Sequence, residues 1–121
     1  VNRKVVVAKS AGFCWGVRRA FDRVLDVAKK NCDHGPVCTY GPLIHNPQAV
    51  NMLNEKGIGV INKIPDNFDG TIVIRTHGIP PEDRRSLETS GAEICDATCP
   101  DVGLIQGMVR KHLRLGYDVI I

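Results

Sequence analysis

The sequence predicts an α/β fold, a mostly parallel sheet with flanking helices. Three observations carry that reading. β-prone runs alternate with helix-period segments along all 121 residues, glycines fall where the predicted helices end, and Thr71-Ile72-Val73-Ile74-Arg75 is β-branched enough for a central strand. With 43% hydrophobic and 24% charged residues, the chain suits one soluble domain with a real core.

The elements follow in order. Lys4-Val5-Val6-Val7-Ala8 is the first β-prone run, and Ser10-Ala11-Gly12 makes a small-residue turn after it. A helix is predicted over 15–31, because Val17, Ala20, Phe21, Val24, Leu25 and Ala28 recur at three- and four-residue spacing and form one apolar stripe. The polar stretch 31–36 breaks it, and 37–40 reads as a short strand. After the loop 41–45, Asn46 is a good N-cap and Pro47 a good first helical residue, so a second helix begins immediately after His45. It ends at Gly57, and 59–61 is a strand. A turn-rich connector, 62–70, leads to the strand at 71–75. Pro80-Pro81 opens a short helix that closes at Gly91, and the strand 92–95 enters Asp96-Ala97-Thr98-Cys99-Pro100. The last helix carries Val102, Ile105, Val109 and Leu113 on one face and stops at Gly116, where 117–121 starts a further strand.

Several function classes fall away. No apolar run reaches the about 18 residues of a membrane span, and the five-residue run after Val1-Asn2-Arg3-Lys4 lacks the length and cleavage site of a signal peptide. The net charge of +3 is mild, and the pairs Arg18-Arg19, Lys29-Lys30, Arg84-Arg85 and Arg110-Lys111 read as solvated helix faces rather than a nucleic-acid surface. Five cysteines without a secretory signal, a regular disulfide spacing or a Cys-x-x-Cys pair point to a reducing, cytoplasmic setting.

In open α/β sheets, ligands gather beyond the carboxyl ends of the strands. Sorted by that rule, Cys14 follows the first β-prone run, His45 the second strand, His77 the 71–75 strand and Cys99 the 92–95 strand, each at or just before a helix start. A helix N-terminus presents unpaired N–H groups and about half a positive charge, which suits a nucleophilic, redox or metal-binding sulfur. The plain alternative for Cys14 is a small buried hydrophobe at a strand–helix junction. Cys32, His34, Cys38 and His112 do not converge and read as structural or surface residues, and the strand-end place of Cys95 favours burial. Two cysteines and two histidines at one rim suit a tetrahedral zinc, or a division of labour with thiolates on an iron–sulfur cluster and imidazoles on an anion. The ring of helix N-termini favours the second division. Gly12, Gly16, Gly41 and Gly78 are positioned to let the backbone approach a bulky ligand.

Four motifs occur in order: Ala11-Gly12-Phe13-Cys14-x-Gly16-Val17-x-Arg19-Ala20, Leu43-Ile44-His45-Asn46, Thr76-His77-Gly78 and Asp96-Ala97-Thr98-Cys99-Pro100. Together they resemble the amino-terminal part of the LytB family, the 4-hydroxy-3-methylbut-2-enyl diphosphate reductases of the non-mevalonate isoprenoid pathway. The resemblance covers essentially the whole chain. It implies a reductive dehydroxylation in which two electrons and two protons convert the allylic diphosphate into isopentenyl and dimethylallyl diphosphate and water.

Residue by residue, the resemblance makes Cys14 and Cys99 two of three ligands to an iron–sulfur cluster of the 4Fe-4S type, and His45 and His77 two of the histidines on the diphosphate. It implies an electron donor such as ferredoxin or flavodoxin. It also implies three similar α/β units around the cluster. Residues 1–99 would form the first unit, with strand 3–8 available to pair with a carboxyl-terminal unit, and 100–121 would begin the second. The third cysteine, a proton-donating glutamate and a further histidine are then expected beyond Ile121, so the chain alone is expected to be inactive. Asp101 departs from the pattern, where a large or aromatic residue is expected. Two other readings stand beside this one. One is a stand-alone metal- or iron–sulfur-binding module without dehydroxylase activity. The other is a phosphate-binding α/β domain whose cysteines belong to its core.

Overall fold

The computed structural model describes residues 3–31 and 35–120. Each β-prone run between 37 and 96 becomes a short strand: β1 (Val37–Tyr40), β2 (Gly59–Ile61), β3 (Thr71–Ile74) and β4 (Glu93–Asp96). They form one parallel sheet in the order β2-β1-β3-β4. The register pairs Tyr40 with both Ile61 and Ile74, and Ile74 with Asp96, so the carboxyl ends are level. That alignment is what allows the following loops to share one rim.

The helices are α1 (Trp15–Lys30), α2 (Pro47–Glu55), α3 (Pro81–Thr89) and α4 (Pro100–Arg114). All four residues of β3 are buried, and they alternate between two cores as a strand of period two must. Val73 packs with Ala20, Phe21 and Val24 of α1 and Ala49 and Leu53 of α2. Ile72 and Ile74 pack instead with Leu87 of α3. The sheet is therefore covered on both faces, as parallel sheets are. Local signals set the helix ends. Asn46 Oδ1 accepts the Ala49 N–H at 3.0 Å to cap α2, and Gly57, Gly91 and Gly116 take positive φ after α2, α3 and α4.

α1 runs against the strands. At its end, Asn31 Nδ2 donates to Thr71 Oγ1 at 2.6 Å and to Glu93 Oε2 at 3.1 Å, at the amino ends of β3 and β4. Near its start, Arg19 Nη1 donates to the Thr98 carbonyl at 3.3 Å, past the carboxyl end of β4.

Two predicted strands do not form. Residues 3–8 and 117–120 have no ladder partner among the described residues, and Val5 is 89% exposed. β-propensity describes fit to a half-buried pleated surface, and here no neighbouring strand supplies one. The stripe on α4 is also unpacked. Val102 and Val109 are half-buried, Ile105 and Leu113 are exposed, and no α4 residue is buried. Pro100 at its start and Lys111, His112 and Arg114 in its last turn are enough to define the helix. Among the described residues, no helix is long and apolar enough to cross a membrane. Cys32, His34 and Ile121 lie outside the described residues.

Candidate functional site

The rim is held together by Thr76, a buried residue in the loop after β3. Its Oγ1 donates to the Leu43 carbonyl at 3.0 Å, its N–H donates to the same oxygen at 3.3 Å, and its carbonyl accepts the Cys99 N–H at 2.9 Å. One residue thus joins the loops that follow β1, β3 and β4, which carry His45, His77 and Cys99. The imidazoles of His45 and His77 lie stacked, with centroids 5.5 Å apart and planes 21° from parallel. Both are exposed, so their ring edges are open to a ligand. Gln106 of α4 donates to the His77 carbonyl at 3.1 Å and anchors that loop from the other side.

Cys14 reaches this rim by a route other than the predicted one. The run before it is not a strand of the sheet; α1 brings it there. Cys14 is the N-cap of α1 and Cys99 the N-cap of α4, and neither sulfur makes a capping hydrogen bond. The two helix starts meet at Gly16. A Cβ there would lie 2.5 Å from Cys99 Sγ and 3.3 Å from Cys99 Cβ, so only glycine lets the Cys99 side chain lie against α1.

The carboxylate of Asp96 shapes the approach to Cys99. Its Oδ1 accepts the Thr98 N–H at 3.0 Å, and Arg84 Nη1 donates to its Oδ2 at 2.7 Å. Burial pushes the Asp96 carboxyl up, but the bonds from Thr98 and Arg84 outweigh it and hold the group below its ordinary value. Asp101 sits in the first turn of α4, where a carboxylate complements the helix dipole.

Among the described residues, Cys38, Cys95 and His112 behave as structural residues. Burial raises the thiols of Cys95 and Cys38, and Cys95 belongs to the core beneath α1 and α2. His112 Nδ1 donates to the Met108 carbonyl at 2.8 Å, and its ring meets Tyr117 edge-on.

Three of the four glycines expected to face a ligand instead face protein. Gly16 accommodates Cys99, Gly41 lies against the Arg75 guanidinium, and Gly78 lies against Gln106 and Thr98; only Gly12 opens into free space. Among the described residues, no three His, Cys, Asp or Glu side chains converge as a metal site. Two free thiols at adjoining helix starts, unused in capping, do suit two corners of a larger thiolate-bound cluster.

Thr76, Arg19, Gln106 and the Asp96–Arg84 pair were not singled out as site residues from the sequence. Thr76, Asp96 and Arg19 did carry a signal, as members of the Thr76-His77-Gly78, Asp96–Pro100 and Ala11–Ala20 motifs.

Comparison with known proteins places these features in a family. The family model described as LytB protein matches residues 5–121. A 4-hydroxy-3-methylbut-2-enyl diphosphate reductase of Anaeromyxobacter sp. (strain K) is 48% identical over 118 residues, covering 97% of this chain and 42% of the relative. One of Opitutus terrae is 44% identical over 129 residues, covering 98% and 44%. A solved (E)-4-hydroxy-3-methyl-but-2-enyl diphosphate reductase superposes with a TM-score of 0.73 at 39% identity, over 93% of this chain and 40% of that one. The E-1-hydroxy-2-methyl-but-2-enyl-4-diphosphate reductase from Plasmodium falciparum gives 0.80 at 27% identity, over 91% and 34%. The chain thus spans about two-fifths of the length of the curated relatives it matches.

Proposed function

This chain belongs to the LytB family, and on that premise we propose that its rim is one part of a reductive dehydroxylation site. The reaction takes 4-hydroxy-3-methylbut-2-enyl diphosphate, two electrons and two protons. It breaks the allylic C–O bond and releases isopentenyl or dimethylallyl diphosphate and water. The observation that carries the proposal is the joining of the three loops by Thr76, with Gly16 of α1 against Cys99. It brings to one rim two free thiols and two imidazoles that sequence order keeps far apart.

In this reading Cys14 and Cys99 hold an iron–sulfur cluster of the 4Fe-4S type. When bound, the cluster supplies Lewis acidity toward the substrate hydroxyl and a path for electrons. His45 and His77 donate hydrogen bonds to the diphosphate, and their stacking fixes the spacing of those donors. The N-termini of α1, α2 and α4 start at Trp15, Pro47 and Pro100, next to Cys14, His45 and Cys99, and favour the anionic substrate. This reading also needs a third thiolate and a proton-donating glutamate, which the family resemblance implies outside the two-fifths of the relatives' length that the chain spans. A reducing cytoplasm suits the free thiols.

The test uses the full-length polypeptide purified without oxygen. Iron, acid-labile sulfide and reductant-dependent loss of the diphosphate substrate are measured for it and for Cys14→Ser and Cys99→Ser. Each substitution is expected to lower iron content and to abolish turnover. Unchanged turnover in either variant refutes the ligand assignment.

A further inference from the structure

A groove of about 1170 Å³ opens between α1, α3 and α4, beginning at His77 and Thr98. Six arginines line it: Arg19, Arg23, Arg75, Arg84, Arg85 and Arg110. Two carboxylates share the lining, Glu88 and Asp96, and both pair with Arg84. The other five arginines have no carboxylate partner among the described residues. Such a concentration of one sign sets up an attractive field for an acidic partner and accelerates its encounter.

The shape of the groove narrows the partner. It is open and larger than the roughly 300–1,000 Å³ of small-molecule sites, and its walls come from three helices and the loop that follows β3. No Phe, Tyr or Trp lines it, and His77 at its edge is its one aromatic ring, so it lacks the run of stacking platforms that single-stranded nucleic acid uses. It also reaches Thr98, the residue before Cys99. A protein docked there stands beside a sulfur proposed to carry the cluster.

We propose that this arginine groove docks the acidic face of a small one-electron carrier protein that supplies the reducing equivalents. The proposal rests on the dehydroxylase reading above. Two reduced carriers each give up one electron. With two protons these replace the allylic C–O bond by C–H and release the oxygen as water, leaving two oxidised carriers.

The experiment uses the full-length protein and its Arg85→Glu/Arg110→Glu double variant, with an acidic ferredoxin as the probe. Among the described residues, no ion pair joins either arginine to the rim residues. Affinity for oxidised ferredoxin is measured by calorimetry at about 0.05 and 0.3 M salt, between which the screening length roughly halves. Turnover is measured separately with reduced ferredoxin and with a dithionite-reduced dye. The double variant is expected to bind ferredoxin about tenfold more weakly at low salt, to lose most of the salt dependence, and to raise the KM for ferredoxin. Its dye-driven kcat is expected to be unchanged. An Arg85→Lys/Arg110→Lys variant, which keeps the charge, is expected to retain the affinity within about twofold.

Unchanged ferredoxin affinity in the charge-reversed protein overturns the proposal. So does a matching fall in dye-driven kcat, which would assign the groove to the chemistry, or groove-dependent binding of an oligonucleotide with none of ferredoxin. Absence of dye-driven turnover in the unmodified protein refutes the dehydroxylase reading instead, while the calorimetry still decides the docking.

Discussion

Replacing Gly16 by alanine tests the contact on which the two helix starts depend. The new Cβ would stand 2.5 Å from Cys99 Sγ, well inside the van der Waals contact distance of carbon and sulfur, and 3.3 Å from Cys99 Cβ. The Cys99 backbone cannot simply retreat. Its N–H donates to Thr76 at 2.9 Å and its carbonyl accepts from Gly103 at 2.9 Å as α4 begins. The easier response is rotation about the Cys99 Cα–Cβ bond, which swings the sulfur away from α1. Overpacking of this kind costs about 1–3 kcal/mol. In the full-length protein we therefore expect Gly16→Ala to lower stability by about that amount in denaturant titrations and to reduce bound iron and sulfide several-fold. In a Cys99→Ala background, most of the stability cost should disappear, giving a coupling of about 1 kcal/mol or more. Wild-type iron content together with unchanged stability, or equal costs in the two backgrounds, would refute the packing argument.

Other expectations follow from the same contacts. Thr76→Val removes the hydroxyl donor to Leu43 but leaves the N–H in place, so it should cost about 1 kcal/mol in thermal unfolding and weaken diphosphate binding through the His45 and His77 loops. Leu87→Ala empties the centre of the core beneath α3 and should cost about 2–5 kcal/mol, read from the denaturation midpoint. Asp96 is held below its ordinary value, so its contribution is present above the unfolded pKa near 4 and is lost as pH falls through the lower folded value. Because Asp96 and Arg84 are both partly exposed, that contribution is small, at most about 1 kcal/mol. Asp96→Asn should accordingly flatten the stability profile below about pH 4, as followed by circular dichroism.

What was legible in the sequence is what local chemistry decides. The stripe from Val17 to Ala28, the Asn46-Pro47 start, and Gly57, Gly91 and Gly116 located α1 and the ends of α2, α3 and α4, because periodicity, caps and left-handed glycines act within a few residues. The rule that ligands gather beyond strand carboxyl ends grouped His45, His77 and Cys99, and four motifs in order carried the resemblance to the family whose model matches the chain.

Tertiary structure decided what depends on partners distant in sequence. The valines at 5–7 have every local property of a strand and yet lie outside the sheet, since a strand exists only where another strand accepts its hydrogen bonds. Cys14 arrives at the rim because α1 runs against the strands and packs its Gly16 on Cys99, a contact 83 positions away in the chain. Three of the four glycines expected to face a ligand, Gly16, Gly41 and Gly78, receive a cysteine, an arginine and a glutamine instead. No periodicity reports which side chain fills the space a missing Cβ leaves, because that depends on how packed elements meet.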